Sequence, residues 1–136
     1  MNYWLVKSEP DKYGWHHFIE QGRAVWDGVR NYQARNNLKV MQVGDQVLFY
    51  HSITNPGVVG LATIVREFYQ DPTAPEDVRW VAVELEPMMA LEKPVTLAHI
   101  KAEPLLASIS LIKQSRLSVM PIRADEFELI LAMGRK

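Results

Sequence analysis

Four stretches of the chain hold polar and aromatic side chains more densely than packing requires. The richest is Trp26-Asp27-Gly28-Val29-Arg30-Asn31-Tyr32-Gln33-Ala34-Arg35-Asn36. It combines two aromatic rings, two guanidinium groups, three side-chain amides and a carboxylate. Such groups stack on planar ligands, hydrogen-bond the edges of bases and hold phosphate. Lys7-Ser8-Glu9 sets an amine, a hydroxyl and a carboxylate in a row, the parts of a base-activated nucleophile. On an extended strand Lys7 and Glu9 face one way and Ser8 the other, so the trio converges only if the chain breaks at Ser8. His51-Ser52, closing Leu48-Phe49-Tyr50-His51-Ser52, has no third member in line for a triad, which leaves either residue as a ligand contact. Arg116-Leu117-Ser118-Val119 is the fourth stretch.

Packing offers a second reading for each of these residues. Trp26, beside an Asp-Gly turn, either lines a pocket or fills the core; a ring stacked on an extruded base is worth roughly 1–3 kcal/mol. Tyr32 either stacks on a ligand or anchors its helix. Asn31 either caps that helix or reads a base edge, because an amide offers both donor and acceptor. Arg30 suits phosphate, Arg35 suits phosphate or a surface ion pair, and Asp27 suits the backbone amides of its turn. Trp4 lies within a strand and reads as core. The histidines at 16, 17, 51 and 99 lack metal-ligand spacing. Cys is absent, which excludes disulfides, thiolate nucleophiles and Cys-based zinc sites. Neither a metal nor a cofactor is expected.

These side chains need a scaffold, and composition bounds it. A chain of 136 residues, 48% hydrophobic with net charge −1, is expected to form a single domain over 1–136. It is neither disordered nor membrane-spanning by composition, since no apolar run approaches about 18 residues. No basic segment precedes a long apolar stretch at the start, so a signal peptide is not expected and a cytoplasmic location is the default. Charge is uneven: residues 1–40 carry six Lys/Arg against four Asp/Glu, whereas 66–103 carry four against eight. Such a chain can present a local cationic mouth but not the basic sleeve of a duplex-coating protein.

Apolar patterning predicts a strand at 3–7, a helix from a Ser8 cap to about Glu20, and a stop at Gly22. A loop at 26–30 and a helix at 31–40 follow. Strands are expected at 46–50, 58–68 and 78–86, with Glu84 and Glu86 on a solvated face. Short helices are expected from Thr96 to Ala102 and from Ser110 to Arg116, and a terminal helix from Asp125. Strands dispersed among short helices do not make a βαβ repeat. They suggest a curled antiparallel sheet closing toward a barrel, with helices plugging it.

The runs 3–10, 26–36, 44–52 and 116–119 also resemble the EVE domain family of the PUA-like superfamily, over Asn2 to about Leu131. The resemblance implies an α+β fold: a PUA-like curled antiparallel or mixed β-sheet forming a pseudobarrel, surrounded by short α-helices and related to the YTH reader domain. It also implies binding of a modified base, above all modified cytosine, in DNA or RNA. Residue chemistry and resemblance together give an expected base pocket of Ser8, Trp26, Asn31, Tyr32, His51 and Ser52. Lys7, Arg30, Arg35 and Arg116 are expected on the flanking phosphates. The expected partner is nucleic acid carrying a modified base, with no membrane and no metal. Two other readings stay open: an amidohydrolase of a small modified nucleoside using Lys7, Ser8 and Glu9, and a protein-interaction module with an incidental cleft.

Overall fold

Uninterrupted apolar runs mark strands covered on both faces, and two such runs form the centre of this protein. The computed structural model describes residues 1–135. Its elements are β1 (Tyr3–Ser8), α1 (Pro10–Tyr13), α2 (Trp15–Gln21), β2 (Ala24–Trp26), α3 (Tyr32–Val40), β3 (Gln46–His51) and β4 (Gly57–Gln70). Then come β5 (Val81–Thr96), α4 (Leu97–Ala102), a 3-10 turn (Pro104–Leu106), α5 (Ser110–Lys113), β6 (Val119–Ile122) and α6 (Ala124–Met133). The strands make one six-stranded sheet in the order β2-β5-β4-β3-β1-β6. β1 and β3 pair in parallel and every other pair is antiparallel, so the sheet is mixed. Trp4, Leu5 and Val6 on β1 and Val47, Leu48 and Phe49 on β3 are buried.

The sheet curls but does not close. β2 and β6, three and four residues long, stand at opposite ends of the strand order and do not pair with each other. The α+β architecture expected from the sequence, a mixed sheet flanked by short helices, is thus borne out, and the sheet stops short of a closed barrel.

Three further expectations change. The helix expected from Ser8 to Glu20 is two helices, because Gly14 is extended and serves as C-cap of α1 and N-cap of α2. The N–H of Gly14 donates to His17 Nδ1 at 2.8 Å, closing the start of α2. Ser8 caps neither helix; its hydroxyl donates to the Tyr13 carbonyl at 2.5 Å. The strand expected at 78–86 is β5, which starts at Val81 and runs on to Thr96, past Pro87 and Pro94, through a register irregular enough to tolerate them. Finally, Glu84 is not solvated. It is 8% exposed and accepts from Arg23 (2.7 Å), Arg66 (3.1 Å) and Tyr69 (2.7 Å). The bonds from Tyr69 and Arg23 hold its carboxyl at about 2 against the opposing effect of burial.

Phe49 sits at the centre of an aromatic cluster. Phe18 stacks on it at 5.4 Å, and Trp15 and Trp26 approach edge-on at 5.3 and 5.7 Å. Gly60 on β4 makes room for this cluster, since a Cβ there would lie 2.4 Å from the Trp15 ring. Gly60→Ala is expected to destabilise the fold by about 1–3 kcal/mol through overpacking. A lower urea midpoint with an unchanged slope is the signature to look for.

Candidate nucleic-acid interface

The end of β1, the short helix α1 and the segment running from β2 into residues 27–30 enclose a cavity of about 660 Å³. Trp26 forms part of its wall, half-buried and edge-on to Tyr13 (centroids 6.3 Å) as well as to Phe49. Tyr13 is fixed in turn, its hydroxyl donating to Gln21 Oε1 at 2.6 Å, and burial raises its phenol. From β1, Lys7 and Ser8 reach the cavity with Glu9 beside them. The Lys7 ammonium donates to the Ser115 carbonyl at 2.8 Å, and burial lowers its pKa.

A clasp shapes the opposite wall. Gly28 has φ +73, a backbone conformation that glycine adopts without strain. Its N–H donates to Asp71 Oδ2 at 2.8 Å, and Arg30 Nη1 donates to the same oxygen at 2.9 Å. The N–H and hydroxyl of Thr73 take the other Asp71 oxygen, each at 2.7 Å. Asp71 is fully buried, which pushes its carboxyl up, yet Thr73, Arg30 and Gly28 together outweigh burial and hold it at about 2.

Of the residues singled out from the sequence, Lys7, Ser8, Trp26 and Arg30 therefore meet at one cavity. The structure does not bring the other six there. Asn31 is the N-cap of α3, its Oδ1 accepting from Ala34 N–H at 2.9 Å. With Arg116 it borders a separate hollow of about 340 Å³. Tyr32 leans on Trp80 (5.2 Å), accepts from Arg79 at 3.1 Å, and carries the Arg35 guanidinium over its ring at 5.1 Å. That stack pins the 71–80 segment to the start of α3. His51 Nε2 accepts from Trp15 N–H at 3.0 Å, which requires a neutral ring, and burial and His16 both lower its pKa. Ser52 donates its N–H to the Ser8 carbonyl at 2.9 Å, placing it behind the wall.

Tyr13, Arg23 and Asp27 line the cavity without having been picked as ligand contacts. Tyr13 and Arg23 carry no local signal, because what holds Arg23 is Glu84, 61 residues away. Asp27 did carry one, its place between Trp26 and Gly28. Among the described residues no group of three or more His, Asp or Glu is placed to hold a metal ion. None of their helices is long and apolar enough to cross a membrane.

An open, curled mixed sheet with an aromatic cavity against one edge strand defines a small α+β domain of PUA-like architecture. Residues 2–133 match the EVE domain family, and the chain belongs to it. Mouse thymocyte nuclear protein 1 is 36% identical over 165 residues, covering 97% of this chain and 73% of that protein. The structure of human THYN1 in complex with 5-methylcytosine-containing DNA superposes with a TM-score of 0.92 at 31% identity, covering 100% of this chain and 99% of that one. A protein from Agrobacterium tumefaciens superposes with a TM-score of 0.97 at 40% identity, covering 98% and 93%. The fold extends to the YTH domain of Zygosaccharomyces rouxii, with a TM-score of 0.60 at 15% identity.

Proposed function

We propose that this protein is a non-catalytic reader of a modified base in nucleic acid, with 5-methylcytosine the foremost ligand. The observation that carries the reading is the cavity itself: a half-buried indole beside Tyr13, bordered by Lys7, Lys12, Arg23 and Arg30. A base out of its stack finds there an aromatic surface to lie on and cations for its phosphates. The solved human relative with 5-methylcytosine-containing DNA supports this ligand. Burying one methyl contributes only about 0.8 kcal/mol, so selectivity needs a slot that also penalises an unfilled methyl site.

The arrangement of Lys7, Ser8 and Glu9 argues against hydrolysis. Ser8 gives its proton to a backbone carbonyl, Lys7 donates to Ser115, and Glu9 pairs with Lys12 at 3.4 Å. Among the described residues no base accepts from the Ser8 hydroxyl. Titration with DNA and RNA oligonucleotides carrying plain or modified cytosine, at fixed salt, tests the reading. Trp26→Ala is expected to weaken binding of the modified oligonucleotide roughly 5- to 150-fold, the loss of one stacked base. Equal binding of plain and modified strands would refute selective reading. Weak turnover of a modified nucleoside, abolished by Glu9→Gln, would favour the hydrolase instead.

A further inference from the structure

Reading 5-methylcytosine poses a problem that stacking and a methyl slot do not solve. Thymine carries a methyl group at the same position and is an ordinary base of DNA. The two differ on their hydrogen-bonding edges: cytosine presents an amino donor where thymine presents a carbonyl acceptor. A reader must therefore place an acceptor where that amino group arrives.

The polar side chains of the cavity are nearly all engaged. Lys7 is bonded to the Ser115 carbonyl, Tyr13 to Gln21, Arg23 to Glu84 and Arg30 to Asp71. Ser8 has spent its proton on the Tyr13 carbonyl, and Glu9 faces Lys12. Asp27 differs. Among the described residues its carboxylate accepts from no other side chain or backbone amide; only its own amide assists it, with Arg30 nearby. It lines the cavity and follows Trp26 directly, so the stacking surface and a free acceptor come from consecutive residues. Gly28, turned at φ +73 and tied to Asp71, fixes the backbone on its far side.

We infer that Asp27 is the specificity-determining residue of this cavity, accepting the exocyclic amino group of a cytosine-type base and excluding thymine. The inference rests on the reader function proposed above. An ionised carboxylate accepts and never donates, so a carbonyl set against it is left unpaired and repelled. Burial and the neighbouring Asp71 both raise the Asp27 carboxyl, with its own amide and Arg30 opposing.

The test uses single-stranded oligonucleotides identical except for one central 5-methylcytosine, cytosine or thymine, titrated into the wild type, Asp27→Asn and Asp27→Ala. Wild type is expected to prefer 5-methylcytosine over thymine at least tenfold. Both variants are expected to bring that ratio close to one, with unchanged thermal midpoints because the Asp27 side chain bonds to no other described residue. A variant that keeps the wild-type ratio overturns the inference while leaving the reader function standing. So does Asp27→Asn that is folded yet binds none of the strands, because an amide still offers an acceptor and a loss of that kind marks a structural role. If wild type binds none of the three, the reader function itself fails and the inference falls with it.

Discussion

Phe49→Ala is expected to cost about 3–5 kcal/mol of folding stability, the range for truncating a fully buried aromatic residue. Phe49 is completely buried on β3, with Phe18 stacked on it and Trp15, Trp26 and His51 edge-on around it. The rings packed around it are rigid and relax poorly into the space left behind. Domains of this size are stable by roughly 5–15 kcal/mol, so such a loss leaves the protein near its unfolding threshold. Equilibrium urea unfolding measures it, and Phe49→Leu is expected to recover part of the loss. Trp26 rests on the same ring, so Phe49→Leu is also expected to weaken oligonucleotide binding while the protein remains folded. A substitution felt only in stability would separate the cavity from the core.

Asp71→Asn is expected to destabilise by about 2–4 kcal/mol, although it is nearly isosteric. Both carboxylate oxygens accept: one takes Gly28 N–H and Arg30, the other Thr73 twice. Whichever way an amide is turned, its NH₂ faces donors. The depressed carboxyl gives a pH signature. Folding holds Asp71 at about 2, against an ordinary 3.8, so its contribution is fully present above 3.8 and is lost as pH falls through about 2. The shift corresponds to about 2 kcal/mol at neutral pH. Wild type minus Asp71→Asn stability, followed from pH 7 to pH 2, should shrink over that acid window. A difference that stays constant with pH would show that the charge is irrelevant. The variant should also bind oligonucleotide more weakly, because Gly28 and Arg30 lose their common anchor.

What could be read from the sequence divides along the range of the interactions involved. β1 and β3 announce themselves in apolar runs, and the α3 cap in a single Asn, because periodicity and capping are local. Their parallel pairing, the short edge strands β2 and β6, and the long reach of β5 depend on partners far along the chain. The division recurs at the cavity. Trp26, Ser8, Lys7 and Arg30 were visible as chemistry in contiguous motifs. Tyr32 and Arg35 belong to the same motif, but the helix carries them onto Trp80 instead. Glu84 looked solvated because alternation on a strand cannot foresee Arg23, Arg66 and Tyr69 converging from three other positions.

Three of the four cations around the cavity, all but Lys7, have one more property in common. Lys12 faces Glu9, Arg23 faces Glu84 and Glu86, and Arg30 faces Asp71. Positive charge that is already compensated by the protein attracts few counterions and displaces few from a polyanion. Association should thus gain little from ion release and fade only gently as ionic strength rises. The protein would ignore the long stretches of backbone it drifts past, and its residence on a strand would be decided by the one base that fits.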